Sequence, residues 1–437
     1  MNYEETVGYI MSALPMFQRV GAAAYKPNLD NSHALDLYDA SPHEDFLTIH
    51  VAGTNGKGSV SHMLAAILTA AGYRTGLLTS PHLLDYRERI RVDGQMVSED
   101  FITQYVDSHL EVFEEISPSF FEMSVAMAFS YFADQQVDIA VVEVGMGGRL
   151  DSTNIISPTV SVITSIGYDH MAFLGGTMAE IAGEKAGIIK QNRPVVVGAV
   201  DEELRPVFID RAREMGSPYT FAQDRWTVVP KGASGERQCF DCLNSRSRKP
   251  MEIVTDLRGI VQSQNLATVL CVVDYLRREG LHIPWTIVQQ GLGRVQQSTG
   301  LAGRWQPIDE KPLTIADVAH NPQGIAAVLA QVEQTPHEGL LWVLGLSGDK
   351  DVSSILAMLP SEATYFFTRA GVPRAMDADA LRGEATGHGL RGESYPDVAS
   401  ALRAARERAR PEDLIMVGGS AFVVADALAA GVGESGL

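Results

Sequence analysis

The stretch 47–71, LTIHVAGTNGKGSVSHMLAAILTAA, decides how this chain reads. The apolar run Leu47–Ala52 has the length and composition of a buried strand. It passes directly into Gly53-Thr54-Asn55-Gly56-Lys57-Gly58-Ser59. Beyond the loop, Val60, Met63, Leu64, Ile67, Leu68 and Ala71 recur at helical spacing on one face. Strand, glycine loop, lysine and helix together make a layout that binds nucleotide phosphates. Glycines let backbone N–H groups turn inward, the helix N-terminus adds partial positive charge, and the lysine reaches the outer phosphates. The loop departs from the Walker A pattern at two places. Val51 stands where its first glycine belongs, and Gly58 stands where a Ser or Thr should follow the lysine. A ligand-free glycine turn between strand and helix has the same local look.

Working outward, strand and helix patterns alternate to the end of the chain. Apolar strands are expected at Leu47–Ala52, Thr75–Thr79, Ile139–Val144, Val160–Thr164 and Val195–Gly198, with helices between them, including Phe121–Phe132 and Met178–Ile189. Near-continuous apolar strands separated by helices imply a parallel sheet covered on both faces. The polar segment 224–256 breaks the rhythm and reads as an antiparallel excursion. Helical patterning resumes at Gln264–Arg278 and Pro284–Gly291. A helix-poor stretch, Gln296–Gly303, then separates a second βα series with strands at Leu313–Val318, Leu340–Leu346, Tyr365–Thr368 and Leu414–Val417. The expected fold class is α/β. A P-loop-type parallel-sheet ATPase domain, residues 1–298, precedes a smaller Rossmann-like α/β domain, residues 299–437.

At 437 residues the chain exceeds the size at which one core stops growing. A formal charge of −19 and the lack of basic clusters argue against a nucleic-acid partner. An anionic substrate must then be held by local cations and metal ions. Cys239 and Cys242 form one CxxC with no second pair, so they read as loop or strand residues, and Cys271 reads as core. The N-terminal MNYEETVGYI does not read as a signal peptide, and no run of about 18 apolar residues marks a membrane span. A cytoplasmic location is expected.

Ligands of open parallel sheets bind beyond the carboxyl ends of the strands, and chemically capable residues collect there. Ser80 follows the second strand; a hydroxyl there can ligate magnesium. Glu143 closes the third, in VVEVGMGGRLDSTN (141–154), where a carboxylate is costly unless paired or metal-bound. Asp169 and His170 follow the fourth, within SIGYDHMAFLGGTMAEIAGEKAGIIK (165–190). A metal role for His170, with Glu143 as partner, competes with a structural one. Lys185, beside Glu184, cannot be told by periodicity from a solvated helix lysine. Arg87, Arg89 and Arg91 alternate, as on a strand face or in an anion clamp. In the second series IADVAHNPQG (315–324) sets Asp317, His320 and Asn321 at a strand end, and Arg304 lies in LAGRWQP.

Taken in order, HVAGTNGKGSV, TSPHL, ERIRVDG, VVEVGMGGRLDSTN, ITSIGYDHMAFLG, IAGEKAGIIK, LAGRW, DVAHNP and the GGS near the C-terminus resemble the folylpolyglutamate synthase/dihydrofolate synthase family, which belongs with the Mur ligases. The resemblance covers nearly the whole chain, and it accounts for the loop, since this family's phosphate loop resembles GTNGKGS.

The resemblance implies an ATP-dependent acid–amino-acid ligase that joins L-glutamate to a pterin carboxylate. Dihydropteroate or reduced folates are the implied acceptors. Thr54, Asn55, Gly56, Lys57, Gly58 and Ser59 would bind ATP phosphates, with Asn265, Arg304, Asp317 and His320 around the nucleotide. Two Mg2+ ions are implied, one on Ser80 and Glu143 and one held with His170. Lys185 matches a lysine carbamylated by carbon dioxide, which requires a neutral amine and so a depressed pKa. Phe121, Leu150, Asp151 and Ser152 match the pterin pocket. Asn28, Leu29 and Asp30 lie in AAAYKPNLDNSHAL (22–35), where Asn28 replaces a common glycine. The resemblance also implies a monomer. A Mur-type ligase of a UDP-linked sugar would carry a further N-terminal domain, whereas about 46 residues precede the first strand here. A P-loop ATPase that does not ligate would need neither His170 nor Lys185.

Overall fold

The computed structural model describes residues 1–13, 28–234, 237–247, 249–348 and 351–434. It divides into two compact units. The first is the chain up to Asp256 together with Val261–Leu301. The second is Leu257–Ile260 together with the chain from Ala302 onward.

The first unit is built on an eight-stranded sheet. Its strands are β1 (Leu47–Ala52), β2 (Thr75–Leu78), β3 (Ile90–Val92), β4 (Gln95–Met96), β5 (Ile139–Glu143), β6 (Val160–Ser165), β7 (Val195–Ala199) and β8 (Tyr219–Phe221). The order is β4-β3-β2-β5-β1-β6-β7-β8. From β2 to β8 the pairing is parallel, and β3 and β4 add an antiparallel edge. Register puts His50 opposite Val142 on one side and Ser161 on the other. Residues that share this face with His50 pack under helices Phe120–Asp134 and Met178–Ala186. Helices Lys57–Ala70 and Gln262–Arg278 pack against the other face. Helices on both faces are the reason the strands are apolar without alternation.

The expected excursion is a three-stranded antiparallel sheet of β9 (Trp226–Ser234), β10 (Arg237–Asn244) and β11 (Met251–Thr255). Cys239 and Cys242 are free thiols on β10. One expectation fails nearby. The stretch taken as helix-poor carries a short helix, Val295–Thr299. Its first amides, those of Val295 and Gln296, donate to the Asp256 carboxylate at 2.9 Å each, so its cap comes from 39 residues upstream and leaves no local sequence signal. It closes at Gly300, φ +69°.

The second unit is a six-stranded sheet ordered β12-β13-β17-β14-β15-β16. The strands are β12 (Gln306–Glu310), β13 (Leu313–Asp317), β14 (Leu340–Leu344), β15 (Thr364–Phe367), β16 (Arg391–Ser394) and β17 (Leu414–Gly418). All pairs are parallel except β12 with β13. This is the α/β class expected, with a parallel-rich sheet in each unit.

Phe129 and Phe132 are wholly buried between the first sheet and helix Phe120–Asp134. Truncating Phe129→Ala removes apolar contact and leaves a void, so it should destabilise this unit by about 3–5 kcal/mol. A urea titration followed by circular dichroism would check this.

Candidate active site

Four neighbouring strands, β2, β5, β1 and β6, end side by side and aim their carboxyl ends at one place. The loop after β1 is braced from β6. Thr54 N donates to Ser165 O at 2.8 Å, Asn55 N donates to Ser165 Oγ at 3.0 Å, and Thr164 Oγ1 donates to Asn55 O at 2.6 Å. Gly53 is indispensable because a Cβ on it would lie 1.9 Å from Thr164 Oγ1. Gly56, at φ +87°, is the N-cap of helix Lys57–Ala70 and gives that helix no side-chain cap. A Cβ on Gly56 would stand 2.5 Å from Asn265 Oδ1, so Asn265 lies against the loop. Lys57 Nζ folds back onto Gly53 O (3.1 Å) and Thr54 O (3.3 Å). Ser59 is buried in the first helical turn. Thr164 and Ser165 were not foreseen as site residues. Their only signal is polarity at the end of an apolar strand.

At the end of β5 the Glu143 carboxylate is buried and accepts the Ser80 N–H at 3.2 Å. Ser80 and Glu143 therefore meet, although they are 63 residues apart. The three arginines do not share a face. Arg87 and Arg89 lie in a 3-10 turn, Tyr86–Arg89, which breaks the strand alternation before β3. Arg87 pairs with Asp85 at 2.7 Å and Glu99 at 2.8 Å. Arg89 is buried, donates to His82 Nδ1 at 2.7 Å and lies 4.9 Å over the Phe120 ring. Arg91 donates to Gly94 O at 3.2 Å.

The glycine-rich segment after Glu143 packs where a side chain would collide. A Cβ on Gly145 would come within 2.6 Å of the Phe121 ring and 3.2 Å of Asp151 Oδ2, and one on Gly148 would meet Glu184 O at 2.9 Å. Phe121, Gly145 and Asp151 thus form one cradle, flanked by Leu150 and Ser152, and Gly148 lets helix Met178–Ala186 approach. Arg149 ties the two further, its N–H donating to Glu184 O and its guanidinium to the Glu184 carboxylate, both at 2.8 Å. Burial pushes the Asp151 carboxyl above its ordinary range, against donors from Thr153, Met146 and Gly145.

On that helix Lys185 is 3% exposed, which overturns the solvated reading. Burial first, then the charge of Lys57, push its pKa down from 10.5 to about 7; Asp169 and Asp151 oppose the shift. Its amine is therefore substantially neutral at physiological pH. His170, at φ +51°, opens the short helix Met171–Leu174, and its Nε2 stands 3.8 Å from Asp169 Oδ2.

Of the 22–35 segment, residues 22–27 lie outside the described residues. Leu29 is the N-cap of helix Asp30–Tyr38, and exposed Asn28 precedes it. Asn31 donates to Glu122 at 3.2 Å, next to Phe121. In the second unit Asp317 accepts from Trp305 N (2.8 Å) and Ala319 N (2.9 Å), and its pKa is raised by burial, with Arg304 and His320 opposing. Arg304, Asp317 and His320 are thus gathered at the end of β13.

Residues 51–273 match the Mur ligase middle domain and residues 303–421 the Mur ligase glutamate ligase domain. The dihydrofolate synthase/folylpolyglutamate synthase of Escherichia coli is 35% identical over 378 residues, 86% of this chain and 84% of that protein. The chain belongs to the folylpolyglutamate synthase/dihydrofolate synthase family. It has the family's class of activity, ATP-dependent acid–amino-acid ligation. E. coli FolC in complex with DHPP and ADP superposes with a TM-score of 0.85 at 30% identity, covering 100% of this chain and 99% of that one. A bifunctional family member with Mn, AMPPNP and L-glutamate bound superposes at 0.83 with 29% identity, covering 98% of each. The chain spans only half of a Haloferax volcanii relative, 31% identical over 98% of this chain, named a probable bifunctional folylpolyglutamate synthase/dihydropteroate synthase. Among the described residues no helix is long and apolar enough to cross a membrane.

A buried amine whose folded pKa lies below its unfolded one costs stability wherever both states are protonated. That cost lifts as pH rises from about 7 toward 10.5. In carbon-dioxide-free buffer, Lys185→Met should therefore melt above the parent at pH 7, with the gap much narrower at pH 9.5. Differential scanning calorimetry at the two pH values would check it.

Proposed function

We propose that this chain makes dihydrofolate from dihydropteroate and also lengthens the glutamate chain of reduced folates, using one site for both. The observation that carries the proposal is the convergence at four adjacent strand ends of the Gly53–Ser59 loop, the Ser80–Glu143 pair and Asp169–His170, with buried Lys185 and the Phe121–Gly145–Asp151 cradle beside them. The E. coli and Bacillus subtilis relatives carry both activities in their names.

In this reading Thr54, Asn55, Gly56, Lys57, Gly58 and Ser59 cradle the ATP phosphates, and Asn265 borders them. Arg304, Asp317 and His320, at the end of β13, are assigned to nucleotide binding. Phe121, Leu150, Asp151 and Ser152 receive the pterin, and Asn28, Leu29 and Asp30 close it from the N-terminal side. The substrate carboxylate takes the γ-phosphoryl group of ATP, releasing ADP. The glutamate amine then attacks the acyl carbon, the C–O bond to phosphate breaks, and the amine proton is lost to solvent. Such chemistry needs charge neutralisation and alignment more than covalent help. Alignment of two bound reactants can be worth ~7–11 kcal/mol.

The donors present fit magnesium. Glu143 is a buried carboxylate that accepts the Ser80 N–H, and the carboxylate with the hydroxyl of that serine is an oxygen set of the kind Mg2+ prefers. Among the described residues no three His, Cys, Asp or Glu side chains gather as a complete metal cage, so phosphate oxygens and water must complete the shell. When bound, the metal neutralises phosphate charge. A second ion is assigned to His170 and a carbamylated Lys185. The carbamate forms when the neutral amine attacks carbon dioxide and loses a proton to water, and the depressed pKa makes that amine available. We assign the chain to the cytoplasm and, as the resemblance implies, read it as a monomer.

The deciding assay is glutamate-dependent ADP release with dihydropteroate and tetrahydrofolate offered in parallel, and mass spectrometry of the products. Turnover of only one acceptor would refute the dual activity. Lys57→Ala should lower kcat by at least about a hundredfold. Near-normal turnover would remove this lysine from the phosphate site. Lys185→Ala should lose activity and regain part of it with a short carboxylic acid that replaces the carbamate. Full activity without rescue would contradict that role.

A further inference from the structure

His50 is wholly buried in β1, two residues before the strand ends, and the mechanism above gives it no task. An imidazole so placed costs free energy unless its nitrogens are used. One is. Nε2 lies 2.8 Å from Thr153 Oγ1, and Thr153 is itself wholly buried. The Thr153 hydroxyl in turn bonds Asp151 Oδ1, and its N–H donates to the same oxygen at 3.0 Å. The other carboxylate oxygen takes the Met146 N–H at 2.9 Å.

These contacts fix the direction of every proton. Asp151 faces donors at both oxygens and so acts as an acceptor. The single hydroxyl proton of Thr153 therefore goes to Asp151, and Thr153 must accept from the ring. That places the imidazole proton on Nε2 and leaves Nδ1 bare, and Nδ1 has no partner among the described residues. Burial and the nearby Lys190 ammonium hold the His50 pKa down at about 3, so the ring is neutral. Lys190 Nζ also donates to Asn154 O at 2.6 Å and pins the far end of the same turn.

We propose that His50 is a positioning residue for the pterin-bearing substrate: through Thr153 it orients the Asp151 carboxylate, which holds the Gly145–Met146 turn against Phe121. The inference rests on the reading above that this cradle receives the pterin. His50 touches no substrate. Its effect should appear in pterin affinity and not at the phosphate loop, although it sits on the strand that feeds that loop.

The test compares His50→Leu with His50→Gln, whose amide N–H can reach the place of Nε2–H. For whichever of dihydropteroate or tetrahydrofolate is turned over, His50→Leu should raise KM about tenfold, with the KM for ATP within about twofold of the parent. His50→Gln should recover most of the loss. Thr153→Val should match His50→Leu, and the double variant should be no worse than either, because both cut one chain of contacts. An unchanged pterin KM in folded His50→Leu, equal rises in both KM values, or no rescue by Gln would overturn the proposal. If His50→Leu does not fold, the ring nitrogens of the parent decide. A long-range 1H–15N spectrum should show Nε2 protonated, Nδ1 bare, and a shift on adding the pterin substrate but not ADP. The opposite tautomer, or no response to the pterin, would refute it. Asp151→Asn and Phe121→Ala separate the two layers of inference. If both leave the pterin KM unchanged, the cradle itself is misassigned. If they raise it while His50→Leu does not, only the role of His50 falls.

Discussion

Everything at the site hangs on the parallel register of β1 with its two neighbours. Val51 stands opposite Glu143 on β5 and opposite Val162 on β6, so three strands end within about three residues of one another. Successive residues of a strand face opposite sides, so a slip of one residue would exchange the faces. Glu143 would leave Ser80, and Thr164 and Ser165 would lose the loop they brace. Close packing opposes the slip, because Ile49, Val51, Val141 and Val142 are all wholly buried and each would have to fit a space shaped for a different side chain. Packing energy far from any substrate thus fixes the geometry of the chemistry.

The second constraint is electrostatic. A chain with a formal charge of −19 that handles polyanions must concentrate its cations. Burial first, and then the charge of Lys57, disfavour the proton on Lys185. Lys57 lies in the loop, held by two carbonyl oxygens, whereas Lys185 is buried and its pKa is depressed. Arg89 is buried behind this site, within electrostatic reach of Glu143, and its own pKa is lowered to about 10 by burial.

Much of this was legible in the sequence for a definite reason. Buried parallel strands are near-continuous apolar runs, and polar residues stand out where those runs stop, so Ser80, Glu143 and His170 could be picked as candidates by looking at strand ends. What could not be read depends on partners distant in the chain. The β3–β4 edge and β12 are short, and only their neighbours make them strands. Helix Val295–Thr299 is capped by Asp256 from another element. The arginines of 87–91 alternate on paper, but a 3-10 turn places Arg87 and Arg89 differently. Periodicity could not tell Lys185, beside Glu184, from a solvated helix lysine. Its burial follows from Gly148, which lacks the side chain that would hold the two segments apart.

That last contact belongs to a segment with many neighbours. Residues 145–154 touch the Phe121 ring at Gly145, the lysine helix at Gly148 and Arg149, and the sheet at Thr153. Asp151 bonds Met146 and Thr153 at once, so the segment is cross-braced across its own width. Asn154 extends the brace, its Nδ2 donating to Arg149 O at 3.0 Å and to Gly187 O at 3.2 Å, just past the helix that bears Lys185. A shift of the cradle cannot then occur without strain on the lysine helix. The packing around Phe121 and the environment of the Lys185 amine are thus tied to one loop by its hydrogen bonds.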